Sequence, residues 1–149
     1  MKWYHWAFVA IILSGGGIMI YTQTRGLRNN NPGNIRHGDN WQGMKANQTD
    51  DDFVQFVNAK YGIRAMARIL DNYAKRGVVY LSDIILTWAP PNENDTHSYI
   101  AHVEQQTGIF ANERITRDDY PKLIAAMIKH ENGINPYSDA TIVEGISMA

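Results

Sequence analysis

Between Asp118 and Gly133 the chain has little choice but to form a helix, and that helix dictates what must surround it. Asp118 and Asp119 can accept from the first free amides, Pro121 suits a first turn, and Gly133 with Pro136 stops the run. Ile124, Met127 and Ile128 recur at spacings of three and four, so one face has to be covered by the rest of the chain. Glu131 continues that apolar face, whereas Lys122, Lys129 and His130 point elsewhere. An inward carboxylate in the last helical turn is disfavoured as an anion both by desolvation and by the helix dipole. Both effects raise its pKa, which suits a group that must donate a proton near neutral pH. The competing reading is a glutamate at a helix end that turns into water or pairs with an arginine.

Upstream, three more helices can be read from period and punctuation. Gly62 to Ala74 places Ile63, Met66, Ala67, Leu70 and Tyr73 on one face and Arg64, Arg68, Asp71 and Lys75 on the other, and Gly77 ends it. Ser82 opens a short helix through Ile84, Ile85 and Trp88 that Pro90-Pro91 terminates. A third begins at Asp95 or Thr96, turns Tyr99, Ile100 and Val103 inward and stops at Gly108. The stiff linker between the last two holds Glu93, either as a second working carboxylate or as part of the next helix cap. His97 and His102 fall on or near the exposed side of that helix.

The amino-terminal stretch is of another kind. Trp6 to Tyr21 carries no charge, which makes about 16 residues or roughly 24 Å of helix, slightly short of a bilayer core near 30 Å. Trp3, Tyr4, Trp6 and Tyr21 supply interfacial aromatics, so residues 1–24 are expected to be a single-pass membrane anchor and residues 25–149 one globular domain. Arg25, Arg28 and Arg36 follow the run, and the positive-inside rule then favours a cytoplasmic domain. A wall-cutting role instead requires a virion membrane, or a host inner membrane with the domain facing the periplasm. The 149 residues include no cysteine, which removes disulfides, thiolate nucleophiles and cysteine-based zinc sites. Fourteen basic against 15 acidic residues give no electrostatic case for nucleic acid.

From Arg25 to Gly43 the chain is dense in Asn, Gly and Arg, and reads as an ordered loop that feeds a small hairpin whose second strand is Phe53 to Val57. Asn30, Asn31 and Asn34 carry paired donors and acceptors suited to sugar hydroxyls and acetamides, and Trp41 could stack on a pyranose. The same asparagines could instead satisfy the backbone of a complicated loop. Asp50, Asp51 and Asp52 read as a solvated turn before a strand, and with His37 they match no metal-ligand spacing.

The run Arg25 to Arg36, Trp41-x-Gly43, Gly62-Ile63-Arg64-Ala65, Trp88-Ala89-Pro90-Pro91-x-Glu93-Asn94-x-Thr96 and His130-Glu131-Asn132-Gly133-x-x-Pro136-Tyr137 resembles a family of small phage and prophage virion structural proteins. The likeness covers nearly the whole chain after the apolar run. Some virion proteins of this size carry lysozyme-like domains that cut peptidoglycan, and the helix-end glutamate is similar. The closing segment also resembles phage-type lysozymes, with Glu131, Gly133, Tyr137, Asp139 and Thr141 in that order. Here the sheet-like stretch precedes the helices, so this second likeness implies a permuted arrangement, with Thr141 at the start of a sheet.

These readings combine into an expected α+β fold, mostly helical and lysozyme-like, with a small N-terminal β-hairpin after an N-terminal transmembrane helix. The expected function is a membrane-anchored, virion-associated lytic transglycosylase or muramidase, acting in phage entry or lysis. Glu131 would be the acid, with Glu93, Asp139 or one of Asp50 to Asp52 as partner. Asn30, Asn31, Asn34, Arg36, Trp41 and Tyr137 would hold the sugars. No metal or other cofactor is called for. The expected partners are peptidoglycan glycan strands, membrane lipid through residues 6–21 and other virion proteins, with no nucleic acid. The rival is a non-catalytic virion component that tethers and binds.

Overall fold

The computed structural model describes residues 8–14 and 17–149, with side chains from residue 23 onward. Two antiparallel strands, β1 (Phe8–Ser14) and β2 (Gly17–Gln23), come first, paired in register from Phe8 opposite Gln23 to Ser14 opposite Gly17. Helices follow: α1 (Arg25–Arg28), α2 (Ala59–Lys75), α3 (Leu81–Trp88), α4 (Thr96–Thr107), α5 (Tyr120–Asn132) and α6 (Asp139–Ser147).

The expected membrane-spanning helix is therefore corrected. Where it is described, the apolar run is extended and paired, and no helix among the described residues is long and apolar enough to cross a membrane. The single-pass anchor and the membrane localisation inferred from it fall with that finding, and lipid contact through residues 6–21 loses its basis. Val9, Ile11, Ile12, Ile18, Ile20 and Thr22 are β-branched and suit extended backbone, while Gly17 weakens a helix. Trp3, Tyr4 and Trp6, read as interfacial anchors, lie outside the described residues.

The hairpin expected within residues 25–57 is also absent; only isolated bridges form, Arg36 with Phe53 and Met44 with Phe56. Side chains take up the backbone groups that a ladder would have used. Asn31 donates to the carbonyls of Ile35 and Val54, Asn30 to that of Phe56, and Gln48 accepts from the amide of Gln55. Asp50 is the hub of this loop. It accepts from Arg25 Nε at 2.7 Å and Nη2 at 2.5 Å, from Asn29, and from the amides of Asp52 and Phe53. These bonds hold its carboxyl well below the usual range. The α+β, lysozyme-like arrangement thus gives way to a helical body with a side-chain-braced loop laid over it.

The core sits around α5, whose Leu123, Ile124, Met127 and Ile128 are fully buried. A 3₁₀ turn (Arg117–Asp119) leads into it, closed by Asp119 accepting from the amide and hydroxyl of Thr116. Helix α4 packs along one side of α5, and α2 and α6 along others. Instead of starting a sheet, Thr141 lies with Asp139 in α6, which Ser138 caps by accepting from the amide of Thr141. Gly145 lets α6 approach α2 closely, since a Cβ there would lie 2.7 Å from Cγ2 of Ile63.

Candidate functional site

The last turn of α5 delivers Glu131 to the floor of an open cleft of about 370 Å³, within the range of ligand sites. Three separate elements aim neutral donors at its carboxyl group. Asn34, in the braced loop, donates to Oε2 at 3.1 Å; Trp88, at the end of α3, donates from its indole nitrogen to Oε1 at 3.1 Å; Tyr99, on α4, donates from its hydroxyl to Oε1 at 3.0 Å. Burial pushes the Glu131 pKa up, and the three donors pull it only part of the way back. Burial first and the adjacent Glu131 second hold the Tyr99 phenol well above its ordinary value.

Why the loop reaches the helix end can be traced to particular residues. Asn132, buried beside Glu131, accepts from the Thr24 hydroxyl at 2.6 Å and donates to the carbonyls of Pro32 and Ile128. It thereby fastens the start of the loop to α5. Asn34 adopts a left-handed conformation (φ 51°), which asparagine tolerates better than most residues. Gly33 sits where a Cβ would lie 2.8 Å from Met66 and 3.0 Å from Trp88, so the absence of a side chain lets the loop approach both closely.

Around this centre the cleft is lined by Arg36, Phe53, Ile69, Tyr73, Glu93 and His130. Glu93 lies opposite Arg36 at 3.8 Å, and each side chain is 53% exposed. The His130 ring stacks on Tyr99 with centroids 3.8 Å apart and meets His102, Nδ1 to Nδ1, at 3.0 Å. Burial first, and His102 second, push the His130 pKa down.

Of the residues singled out in the sequence, the cleft brings together Glu131, Glu93, Asn34 and Arg36. The others are placed elsewhere. Asn31 is wholly buried in the loop, and Asn30 is turned to the Phe56 carbonyl. Trp41 and Tyr137 pack against the core. Asp139 borders a separate hollow with Lys122, Lys129 and Gln106. Asp50 is committed to Arg25, and Asp52 shares that guanidinium at 2.9 Å. Among the described residues no group of three or more His, Asp or Glu could hold a metal ion.

Sequence reasoning missed Trp88, Tyr99 and Asn132 as parts of the site. A signal was available for the two aromatics: an inward Tyr or Trp needs a partner for its polar end, and an inward carboxylate is the natural acceptor.

No protein-family model matches the sequence. The chain is similar to Protein P5 of Pseudoalteromonas phage PM2, with 44% identity over 147 residues, covering 93% of this chain and 92% of that protein.

Proposed function

This chain belongs to the family of Protein P5 of Pseudoalteromonas phage PM2, and from that premise we propose that it is a virion-associated enzyme that cuts the glycan strands of peptidoglycan, with Glu131 as the acid. The observation that carries this reading is a desolvated carboxyl group, bonded by three neutral donors, on the floor of an open cleft. A glutamate kept for packing alone would be better paired with a cation or left in water.

The bonding pattern supports Oε2 as the oxygen that would carry the proton in this reading. Oε1 accepts twice, from Trp88 and Tyr99, whereas Oε2 accepts once, from Asn34. The remaining lone pair, and so the acidic proton, belongs on Oε2. Transfer of that proton to the glycosidic oxygen accompanies cleavage of the C1–O bond and leaves an oxocarbenium-like sugar. Trp88 and Tyr99 then stabilise the charge that appears on the carboxylate. Positioned acid catalysis of this kind contributes about 10²–10⁴-fold.

The second step favours a transglycosylase. Glu93 is the other carboxylate on the cleft wall, but it is half exposed and faces Arg36. A single buried carboxylate suffices if the muramyl 6-hydroxyl attacks C1 and returns its proton to Glu131, which closes an anhydro ring.

Incubating the full chain with purified peptidoglycan and analysing the released fragments by mass tests this. Anhydro ends are expected, with activity reduced about 10²–10⁴-fold in Glu131→Gln. Full activity in that variant ends the assignment of the acid. Absence of cleavage by the wild type returns the protein to a non-catalytic virion component.

A further inference from the structure

We propose that His102 and His130 are positioning residues for Glu131: joined Nδ1 to Nδ1 across α4 and α5, they hold the Tyr99 ring so that its hydroxyl stays on Oε1. The effect on rate rests on the glycan-cutting reading, whereas the placement of Tyr99 is measurable without it.

Two adjacent residues of α5 meet two residues one turn apart on α4. Tyr99 donates to Glu131 at 3.0 Å, and His102, three positions on, meets His130 at 3.0 Å. Between these two bonds the Tyr99 and His130 rings stack, with centroids 3.8 Å apart and planes inclined by 28°. Tyr99 is therefore gripped twice, by its hydroxyl and by one face of its ring. The plate against that face is the imidazole that His102 holds. Rotation about χ2 is soft for histidine, so an untethered imidazole is a poor plate. The bond to His102 removes that freedom, because turning the His130 ring carries its Nδ1 away from the partner. Among the described residues the remaining side-chain hydrogen bond between α4 and α5 joins Lys129 to Gln106 at 3.1 Å, is exposed, and does not touch Tyr99.

Packing alone does not call for this pair. Two apolar side chains of similar shape would fill the seam between the helices with no polar atoms to satisfy, at little or no cost. A contact of this kind holds one hydrogen, so one ring donates and the other must keep a bare Nδ1. Two imidazolium rings would face each other N–H to N–H. Burial first, and His102 second, push the His130 pKa down, while Asp95 at the start of α4 opposes them in part. The neighbouring Lys129 is turned to Gln106, and Glu131 is turned to its three neutral donors. These surroundings favour at least one uncharged ring, and with it the bond.

The test follows the Tyr99 Cζ resonance of the full chain by carbon NMR as Glu131 titrates, together with cleavage of purified peptidoglycan. The chains compared are wild type, His102→Leu and His102→Asn, with Glu131→Gln to identify the titration step. Asparagine puts an amide atom where Nδ1 stood and can keep the bond; leucine cannot. The Tyr99 signal should step with Glu131 ionisation in wild type and His102→Asn, and the step should shrink in His102→Leu. In His102→Leu kcat should fall about 3- to 10-fold, the worth of one net hydrogen bond, with KM little changed, and His102→Asn should recover it. In a Tyr99→Phe background His102→Leu should cost nothing further, because its effect passes through Tyr99. A full Tyr99 step in His102→Leu, equal losses in His102→Leu and His102→Asn, an unchanged kcat in His102→Leu, or a kcat loss that adds to that of Tyr99→Phe overturns the proposal. If the wild type cleaves nothing, the glycan-cutting reading fails, and the Tyr99 step alone upholds or overturns the placement.

Discussion

At the scale of the residue, Glu131 shows what a sequence can and cannot announce. Its inward direction followed from Ile124, Met127 and Ile128, but the groups that receive it did not, because Asn34, Trp88 and Tyr99 lie 97, 43 and 32 positions away. The asparagines were legible as polar and not as placed: Asn31 is consumed by backbone while Asn34, three positions on, faces the cleft. Two predictions belong here. Tyr99→Phe removes a donor that favours the ionised carboxyl, so the Glu131 pKa rises further. The alkaline limb of the activity profile should move to higher pH and kcat should fall about tenfold, which a pH–rate series measures. The second concerns stability. Because the folded pKa of Glu131 lies above its ordinary 4.5, the folded state binds a proton that the unfolded chain has already lost. The wild type therefore keeps this contribution below about pH 4.5 and loses it as pH rises through the folded pKa. Glu131→Gln has no charge to bury, and a turn of the Asn34 amide gives it an acceptor. Its melting temperature should exceed that of the wild type at neutral pH, with the gap closing on acidification.

Elements were legible where local chemistry punctuates them. Helices α2 to α5 follow from their apolar period and from Asp95, Pro90, Gly77, Gly108 and Gly133. Helix α6 is not announced by the sequence, because nine residues give little period to count and the resemblance to phage-type lysozymes implies a sheet beginning at Thr141. Its seat on α2 depends on Gly145. Gly145→Val would drive methyl groups into Ile63 and the Lys60 carbonyl, costing about 1–3 kcal/mol in urea unfolding. The loop from Arg25 to Phe56 depends on Asp50 in a comparable way. Asp50→Ala leaves the Arg25 guanidinium to Asp52 alone and strands the Asn29 side-chain amide and two backbone amides, and about 2–3 kcal/mol should be lost. Here the pH sign is opposite to that of Glu131. The depressed Asp50 pKa gives stability that is present above its ordinary 3.8 and is lost as pH falls toward the folded value. Asp50→Ala should therefore be least penalised in strong acid.

For the whole molecule, the sequence misled where one composition serves two structures. An apolar run rich in valine and isoleucine is compatible with a spanning helix or with paired strands, and nothing local decides between them. Phe53 to Phe56 has the composition of a strand, yet its backbone is claimed by asparagine and glutamine side chains whose positions no periodicity reveals. The helical body itself is tied together end to end. Thr24 bonds to Asn132, Arg64 donates to the Met148 carbonyl, and Arg117 donates to that of Ile146. The core cluster spans Ile35 to Ile146 through every helix from α2 to α6. Such a network should unfold as one unit. A chain beginning at Thr24 keeps the cap of α1 and the bond to Asn132, so it should give a single calorimetric transition with a melting temperature within about 4 °C of the full chain, the shift expected for roughly 1 kcal/mol. Beginning instead at Asn29 removes Thr24, Arg25 and Leu27 together, takes the guanidinium away from Asp50 and unlatches from Asn132 the start of the loop that carries Asn34. That shorter chain should melt at least 8 °C lower, about 2 kcal/mol or more, and lose cleavage even though Glu131 is present. Equal melting of the two chains would show that the loop is not fastened through its start, and that the Asn132 bond to the Pro32 carbonyl and the close approach of Gly33 to Trp88 suffice to hold Asn34 beside Glu131.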